Sequence, residues 1–425
     1  MTLDRRSFVK SLGLTTACCL APTMAHAAQV AAPRKRIAFL GTVVRRHSHA
    51  QHFLDRLAEG YIWRGGWQQP RLDIASVHIA QFPESGDLGR ERLTRYGLQQ
   101  SKSVADALTM GGKDLAVDGV VIIGEHGDYP KNEKGQTRYP RFEWFSEIVK
   151  VFEASGRSVP VFNDKHLSTD WEECKKMVAD AQRLKFPFQS GSSLPVTWRM
   201  PSIDMPWGAD LTESVCVAYG GVDSYDFHAL ETAQCMSERR KGGEVGISRV
   251  LALRNEKLWA YLAEPEQATT RQLVVAALCR SHNLPVEGGY PTGKVTFEWA
   301  RTALPTIVGY FITHRDGFRT SAMMTGIRDF NYAGAFADGR EPLSCQMYLP
   351  MPEHGSTTAD FFNPLVRHIE DMVLENRQPY PIERCLLTSG MVIAGVESLH
   401  RGEPIDTPDM GIRYSSDNRS YFWRD

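Results

Sequence analysis

The sequence predicts an α/β fold: a Rossmann-like, doubly wound parallel sheet, followed by an α+β part with an open, mainly antiparallel sheet. Three observations lead there. Short apolar, β-branched runs alternate with helical spacing from residue 37 to residue 189. After Pro195 the alternation gives way to strand-like runs with few helices. Beyond the first 27 positions no run of about 18 apolar residues occurs, so no helical membrane span is expected.

The first strand reads 37–44 and ends near Gly41. Residues 48–59 have helical spacing, with Phe53, Leu54 and Leu57 on one face. Further strands read 73–80, 119–124, 159–163 and 186–189. The helices between them read 88–96, 101–110 (opened by a Ser cap), 142–155 and 171–184. In the second part, strands read 196–199, 214–219, 247–253, 306–313, 318–324 and 345–349. Helices read 225–241, ended by Gly242-Gly243, then 269–281 and 358–374. The expected divisions are a leader at 1–27, a first domain at 34–190, a second at 191–405 and a polar, aromatic tail at 406–425 wrapping the surface.

The leader is specific. Arg5-Arg6-Ser7-Phe8-Val9-Lys10 is followed by an apolar stretch from Leu12 to Met24 and then by Ala25-His26-Ala27. That order matches a twin-arginine export signal with cleavage after Ala27. The expected partner is the twin-arginine translocase, which carries folded proteins, and the expected location is periplasmic or otherwise exported. Cys18 and Cys19 invite a lipoprotein reading, but Thr15 or Thr16 stands where a lipobox needs Leu.

The formal charge is −1. No basic excess points to nucleic acid or to a membrane surface. Six cysteines lie beyond the leader, at 174, 216, 235, 279, 345 and 385, far apart and without CxxC. They read as buried thiols rather than a disulfide framework.

A ligand of a doubly wound sheet sits beyond the carboxyl ends of the strands. After the first strand come Gly41, Thr42, Arg45, Arg46 and Ser48, which could meet phosphates at a helix start. Only one glycine of a GxGxxG cradle is in place. The second strand ends in Ala80-Gln81, without the acid that holds a ribose hydroxyl, so NAD, NADP and no nucleotide all stay open. The third strand leads into Glu125-His126-Gly127-Asp128-Tyr129 and the fourth into Asp164-Lys165-His166-Leu167. A lysine flanked by carboxylates keeps its proton and can donate to an alcohol or carbonyl oxygen. Its removal is expected to cost chemistry more than folding. Gly220-Gly221 opens the long helix, on which Tyr225, His228 and Thr232 share a stripe, with His228 as acid, base or ligand.

Over residues 36–400 these features resemble the Gfo/Idh/MocA oxidoreductase family. Asp164-Lys165-His166 is similar to the family's Glu-Lys-Pro segment, with Lys165 matching its active-site lysine and His166 replacing the proline. The Gly220-Gly221 to His228 stretch resembles a second landmark, although Ser224 stands where the family has Asp. The phosphate loop is atypical. The resemblance implies an open-faced sheet domain that forms homo-oligomers, and NAD(P)-linked oxidation of a sugar or related polyol. It implies catalytic roles for Lys165, His228 and Asp164. Cofactor contacts are expected from Gly41, Thr42, Arg45, Arg46, Ser48, Glu125 and His126, and substrate contacts from Tyr129, His166, Tyr225 and Thr232. Two alternatives use the same scaffold. One is a lyase or hydrolase with a divalent metal on some of Glu125, His126, Asp164, His166 and His228. The other is a non-catalytic carbohydrate-binding protein.

Overall fold

A computed structural model describes residues 33–422, apart from 288–289, 292, 305–306 and 351–357. The expected leader lies outside the described residues. Arg34–Asp425 forms one compact unit.

Five strands make the first sheet: β1 (Arg36–Gly41), β4 (Asp73–Ile79), β5 (Gly119–Ile123), β6 (Val161–Asp164) and β7 (Phe188–Gly191). A hairpin of β2 (Tyr61–Trp63) and β3 (Gly66–Gln68), which has no counterpart in the sequence reading, precedes β4. The order is β4-β1-β5-β6-β7 and every pairing is parallel. The chain therefore changes direction across the sheet between β1 and β5, and that switch point is where a ligand crevice opens.

Both faces of the sheet are covered. Helices α1 (His49–Glu59) and α10 (Asn363–Glu375) lie on one face, where Phe39, Val121 and Phe162 meet Phe53, Leu54, Phe362 and Val366. On the other, α3 (Val104–Thr109), α4 (Arg141–Ser155) and α5 (Trp171–Leu184) pack on Leu40, Val120 and Ile122. A short α2 (Gly89–Arg95) precedes α3. The cap of α3 is Ser103 rather than Ser101: its hydroxyl accepts from the Asp106 N–H at 3.1 Å, which starts the helix later than the sequence reading has it. Since α10 follows every strand of the second sheet but the last, Ile405–Asp406, yet packs on the first sheet, the chain runs out, returns and goes out again.

The second sheet contains β8 (Arg199–Met200), β9 (Leu211–Tyr219), β10 (Ile247–Arg254), β13 (Val308–His314), β14 (Arg319–Thr325), β15 (Phe330–Phe336), β16 (Leu343–Met347) and β17 (Ile405–Asp406). A separate two-stranded ribbon joins β11 (Val286–Glu287) to β12 (Tyr290–Pro291). The large sheet has the order β17-β10-β13-β14-β9-β15-β16-β8. It is antiparallel except for the β9–β14 pair.

This sheet is not bare on either face. Alternate residues of β9 point opposite ways: Cys216 and Ala218 join the core under α6 (Asp226–Ser237) and α11 (Glu383–Arg401). Val215 and Val217 meet Leu258, Trp259, Leu273 and Val274 of α7 (Asn255–Ala263) and α8 (Ala268–Leu278), near a short α9 (Phe297–Ala303). The face of this sheet opposite α6 and α11 thus carries helices of its own. The tail's described residues are mostly exposed or half-buried, and Tyr414 anchors it. Its Tyr414 hydroxyl donates to Glu238 at 2.9 Å and accepts from the Gln234 amide at 2.8 Å in the interior.

Helix α11 has no counterpart in the sequence reading. Its glycines lower helix propensity, but they are needed where it is seated. A Cβ on Gly395 would lie 2.6 Å from the buried Tyr310 ring, and one on Gly390 would lie 2.9 Å from Trp171 and Met410. Gly395→Val should therefore force α11 off β13 and lower stability by about 1–3 kcal/mol. Urea denaturation reads this directly; an unchanged midpoint would show that α11 does not depend on that close approach.

Candidate active site

A cleft of about 400 Å³ opens at the carboxyl ends of β1, β5 and β6. The loop after β1 supplies Arg45, Arg46, His47 and His49; the loop after β5 supplies Glu125 and His126; the turn after β6 supplies Lys165 and His166. Across the opening stand Tyr225 and His228, from the start of α6. Four non-glycine residues that line it hold left-handed backbone: His47 at φ 63°, His126 at 62°, Lys165 at 66° and Asp223 at 58°. Such conformations cost on the order of 1–3 kcal/mol each and persist where surroundings over-determine them.

Lys165 is the centre. Its Nζ lies 2.9 Å from Glu125 Oε2, 3.3 Å from His49 Nε2 and 3.4 Å from His228 Nε2. An ammonium has three N–H groups and no acceptor, so these three partners take all of them. Both imidazoles then present an unprotonated Nε2, which assigns their proton to Nδ1. His49 Nδ1 donates to Asp164 Oδ2 at 2.8 Å, and His228 Nδ1 donates to Ser192 Oγ at 2.7 Å. Ser192 Oγ is itself fixed by accepting from the Leu194 N–H at 3.1 Å.

Glu125 closes the arrangement from below. Its Oε1 accepts from the His49 backbone N–H at 2.6 Å and lies 3.3 Å from His126 Nε2. The carboxylate is thereby seated on the first amide of α1, where the helix dipole favours negative charge. The opposite charges set the protonation states. Burial works against the Lys165 ammonium, but Glu125 and then Asp164 outweigh it and its pKa rises. Burial likewise opposes the Glu125 carboxylate, but His49 and Lys165 hold it well below the usual carboxylate range. Burial, the Lys165 charge and His49 together push His228 well below an ordinary histidine. His166 is depressed in the same way by burial, Arg141 and Lys165. Behind α1's first turn, burial and Arg56 bring His52 down to about 3.

Of the residues expected from sequence, Lys165, His228, Glu125, His126, Arg45, Arg46, His166 and Tyr225 line this cleft. Asp164 lies one layer behind it, holding His49. Thr42 and Ser48 do not face it: both are buried, Thr42 donates to the Glu125 carbonyl, and Ser48 caps α1 by accepting from the Gln51 N–H at 3.1 Å. Gly41 ends β1 beside the Phe39 ring. Tyr129 packs edge-on against Tyr139, a lining residue, and Thr232 is buried inside α6. Sequence reasoning passed over His49. Its signal was present, a histidine directly after an N-cap serine at the sheet's ligand edge, but only the fold brings Asp164 to it.

Among the described residues, the metal-type groups that converge are His49, Glu125 and Asp164, within 4.8 Å of one another; Glu125 and Asp164 are among the expected candidates, and His49 is an addition. Lys165 already supplies positive charge between the first two.

No known family profile matches the chain, and no curated protein matches it by sequence. Solved structures do match in fold. GenD2 from gentamicin A biosynthesis, solved with NAD, shares 13% identity at a TM-score of 0.55, covering 88% of this chain and 97% of its own. The myo-inositol dehydrogenase of Lactobacillus casei, solved with NAD(H) and myo-inositol, shares 10% at 0.53, covering 89% and 98%. A myo-inositol dehydrogenase of Corynebacterium glutamicum shares 12% at 0.52, covering 88% and 99%.

The Glu125–Lys165 pair yields a stability prediction. Against the expectation that losing Lys165 would cost chemistry more than folding, Lys165→Met leaves a buried carboxylate without its cation and should lower stability by about 3–5 kcal/mol, with Glu125→Gln recovering part of the loss in the double variant. Because the folded pKa of Glu125 is depressed, the pair's contribution is complete above about pH 4.3 and fades as pH falls toward the folded value. A double-mutant cycle by urea titration at pH 7 and again at pH 3 checks both statements; additive losses at pH 7 would contradict them.

At this level of identity the likeness establishes architecture: the chain has the fold of the Gfo/Idh/MocA-type dehydrogenases, a parallel, helix-covered sheet joined to an antiparallel-rich second sheet.

Proposed function

We propose that this chain is an exported NAD(P)-dependent oxidoreductase that oxidises a hydroxyl group of a sugar or related polyol. One observation carries the reading: a permanently charged ammonium is held at the switch point of a Rossmann-like sheet, between two neutral imidazoles whose Nε2 atoms face it. The neighbours solved with NAD, and in one case with myo-inositol, support the same chemistry.

A nicotinamide nucleotide fits the residues in a particular way. The start of α1 is answered from within the chain, by Ser48 on the Gln51 N–H and by Glu125 on the His49 N–H. The phosphates would therefore be met by the exposed Arg45 and Arg46 at the rim rather than by a backbone cradle. The end of β4 has no carboxylate for a ribose, and the Gln81 side chain is tied to the Asp128 backbone at 2.8 and 2.9 Å. That leaves room for either NAD or NADP. When bound, the nicotinamide supplies the hydride acceptor.

The chain's own groups do the rest. When substrate enters, Lys165 gives up one of its imidazole contacts, donates that N–H to the substrate oxygen and stabilises the negative charge that develops there as the O–H proton leaves, and the released imidazole Nε2 becomes available. Glu125 keeps that ammonium charged and fixed in place. An imidazole Nε2 beside Lys165 takes the proton. The ring nitrogens of His166 are buried at the cleft wall without a hydrogen-bond partner, which supports a contact from this ring to a second hydroxyl. The twin-arginine leader adds the expectation that the protein folds, with any ligand, before export.

The assay is NADH or NADPH formation from either nucleotide with myo-inositol and a panel of sugars and polyols. Turnover of at least one is expected; none with either nucleotide would reject the reading. Nucleotide binding gives a separate check. Arg45→Ala with Arg46→Ala should weaken nucleotide affinity by roughly 10–100-fold by calorimetry, the loss of two charge-assisted contacts. Unchanged affinity would return both arginines to a solvated loop.

A further inference from the structure

Two imidazoles flank Lys165 at nearly equal distance, and the hydroxyl proton can go to only one of them. We infer that His49, backed by Asp164, is the proton acceptor of the reaction, and that His228 instead orients the substrate oxygen. The hydride step rests on the dehydrogenase reading above; the choice between the two histidines does not.

The difference lies in what stands behind each ring. Behind His49, at 2.8 Å, is the Asp164 carboxylate, which is buried at the end of β6. A proton arriving at His49 Nε2 makes an imidazolium directly paired with an anion. Behind His228, at 2.7 Å, is the neutral Ser192 hydroxyl, already accepting from the Leu194 N–H. A proton arriving there makes an imidazolium with no anion on its far side. The groups facing each ring confirm the asymmetry. His49 is faced by Asp164 and Lys165 from β6, by Glu125 from β5 through its own backbone N–H, by His228 from α6, and by the Phe362 ring at 4.8 Å. His47 and His52 lie on the loop and helix that carry it. His228 is faced by Lys165 and by the rings of Tyr225, Phe227 and Phe330. Both rings share the Lys165 ammonium and face each other; what differs is that His49 has a carboxylate hydrogen-bonded behind it and His228 has only a neutral hydroxyl there.

Solvent access points the same way. The His49 side chain is 18% exposed, whereas Asp164 behind it is 2% exposed. The ring can thus return its proton to water at the mouth while its anion stays fixed. In the balanced step, the substrate O–H proton moves to His49 Nε2. The carbinol C–H leaves with its electron pair as hydride to an oxidised nicotinamide nucleotide. The carbon–oxygen bond becomes a carbonyl, and the imidazolium then gives its proton to water.

His49→Ala and His228→Ala are compared on the best polyol of the panel with NAD or NADP, with and without added imidazole. His49→Ala should lose about 10²–10⁴-fold in kcat, with a smaller change in KM, and regain at least about tenfold with imidazole. His228→Ala should act mainly through KM and show no rescue. Asp164→Asn keeps the histidine and should still lower kcat, which guards against a misfolded alanine variant. A His49→Ala enzyme within about threefold of wild type, or rescue confined to His228→Ala, overturns the inference. If wild type oxidises no polyol, the dehydrogenase reading falls and ¹⁵N-histidine NMR decides alone. At fixed neutral pH, the ring assigned by loss in His49→Asn should show an Nδ1–H held by a carboxylate, a signal that Asp164→Asn removes, while His228 shows none. A carboxylate-held Nδ1–H on His228 and not on His49 would overturn it.

Discussion

The ion pair between Glu125 and Lys165 is the constraint on which the cleft depends. An ammonium brought to the end of a buried strand loses its hydration, and so does the carboxylate beside it. The two are tolerated because every polar direction around them is used. Glu125 rests on the first amide of α1 as well as on Lys165, and Lys165 spends its remaining N–H groups on two imidazoles. Those contacts fix both histidine tautomers, and the tautomers in turn fix which atoms face the opening.

The supports reach well beyond the first sheet. Ser192, which holds His228, lies just past β7, and its backbone N–H is 3.5 Å from Glu231 Oε2 on α6. Burial raises Glu231 to about 7, with Arg384 and the Thr388 hydroxyl acting against that rise. Arg384 in turn forms a two-pronged pair with Glu238 at 2.8 and 2.5 Å, tying α11 to α6. The site is therefore built where the two sheets' helices meet, and α11 is the element that joins them. Its glycines, poor for an isolated helix, allow the approach to Tyr310 and Trp171 that this role requires.

The loop after β1 shows how a shared fold can accommodate a changed helix start. In a dinucleotide domain the first helix start commonly serves an anion from outside. Here Ser48 and Glu125 answer it from inside, and the residue at that start, His49, faces the cleft instead. The missing glycines are thus matched by a substituted function for the helix end.

Much of this was legible in the chain itself. Period and length of the apolar runs determined the parallel sheet and the position of its ligand edge, because buried strands must be short, apolar and β-branched. Charged residues crowded after two such strands marked Glu125, Lys165 and His166, since isolated charge is not left at a sheet edge without partners. Other features were decided only by tertiary structure. Helices α7 and α9 beside the sequence-legible α8, the glycine-bearing α11 and the strand at Phe330–Phe336 form because long-range burial outweighs weak local preference. The pairing of His49 with Asp164 joins residues 115 positions apart. No local pattern encodes that contact; it exists because β1 and β6 flank β5 in one sheet and present their ends to the same cleft.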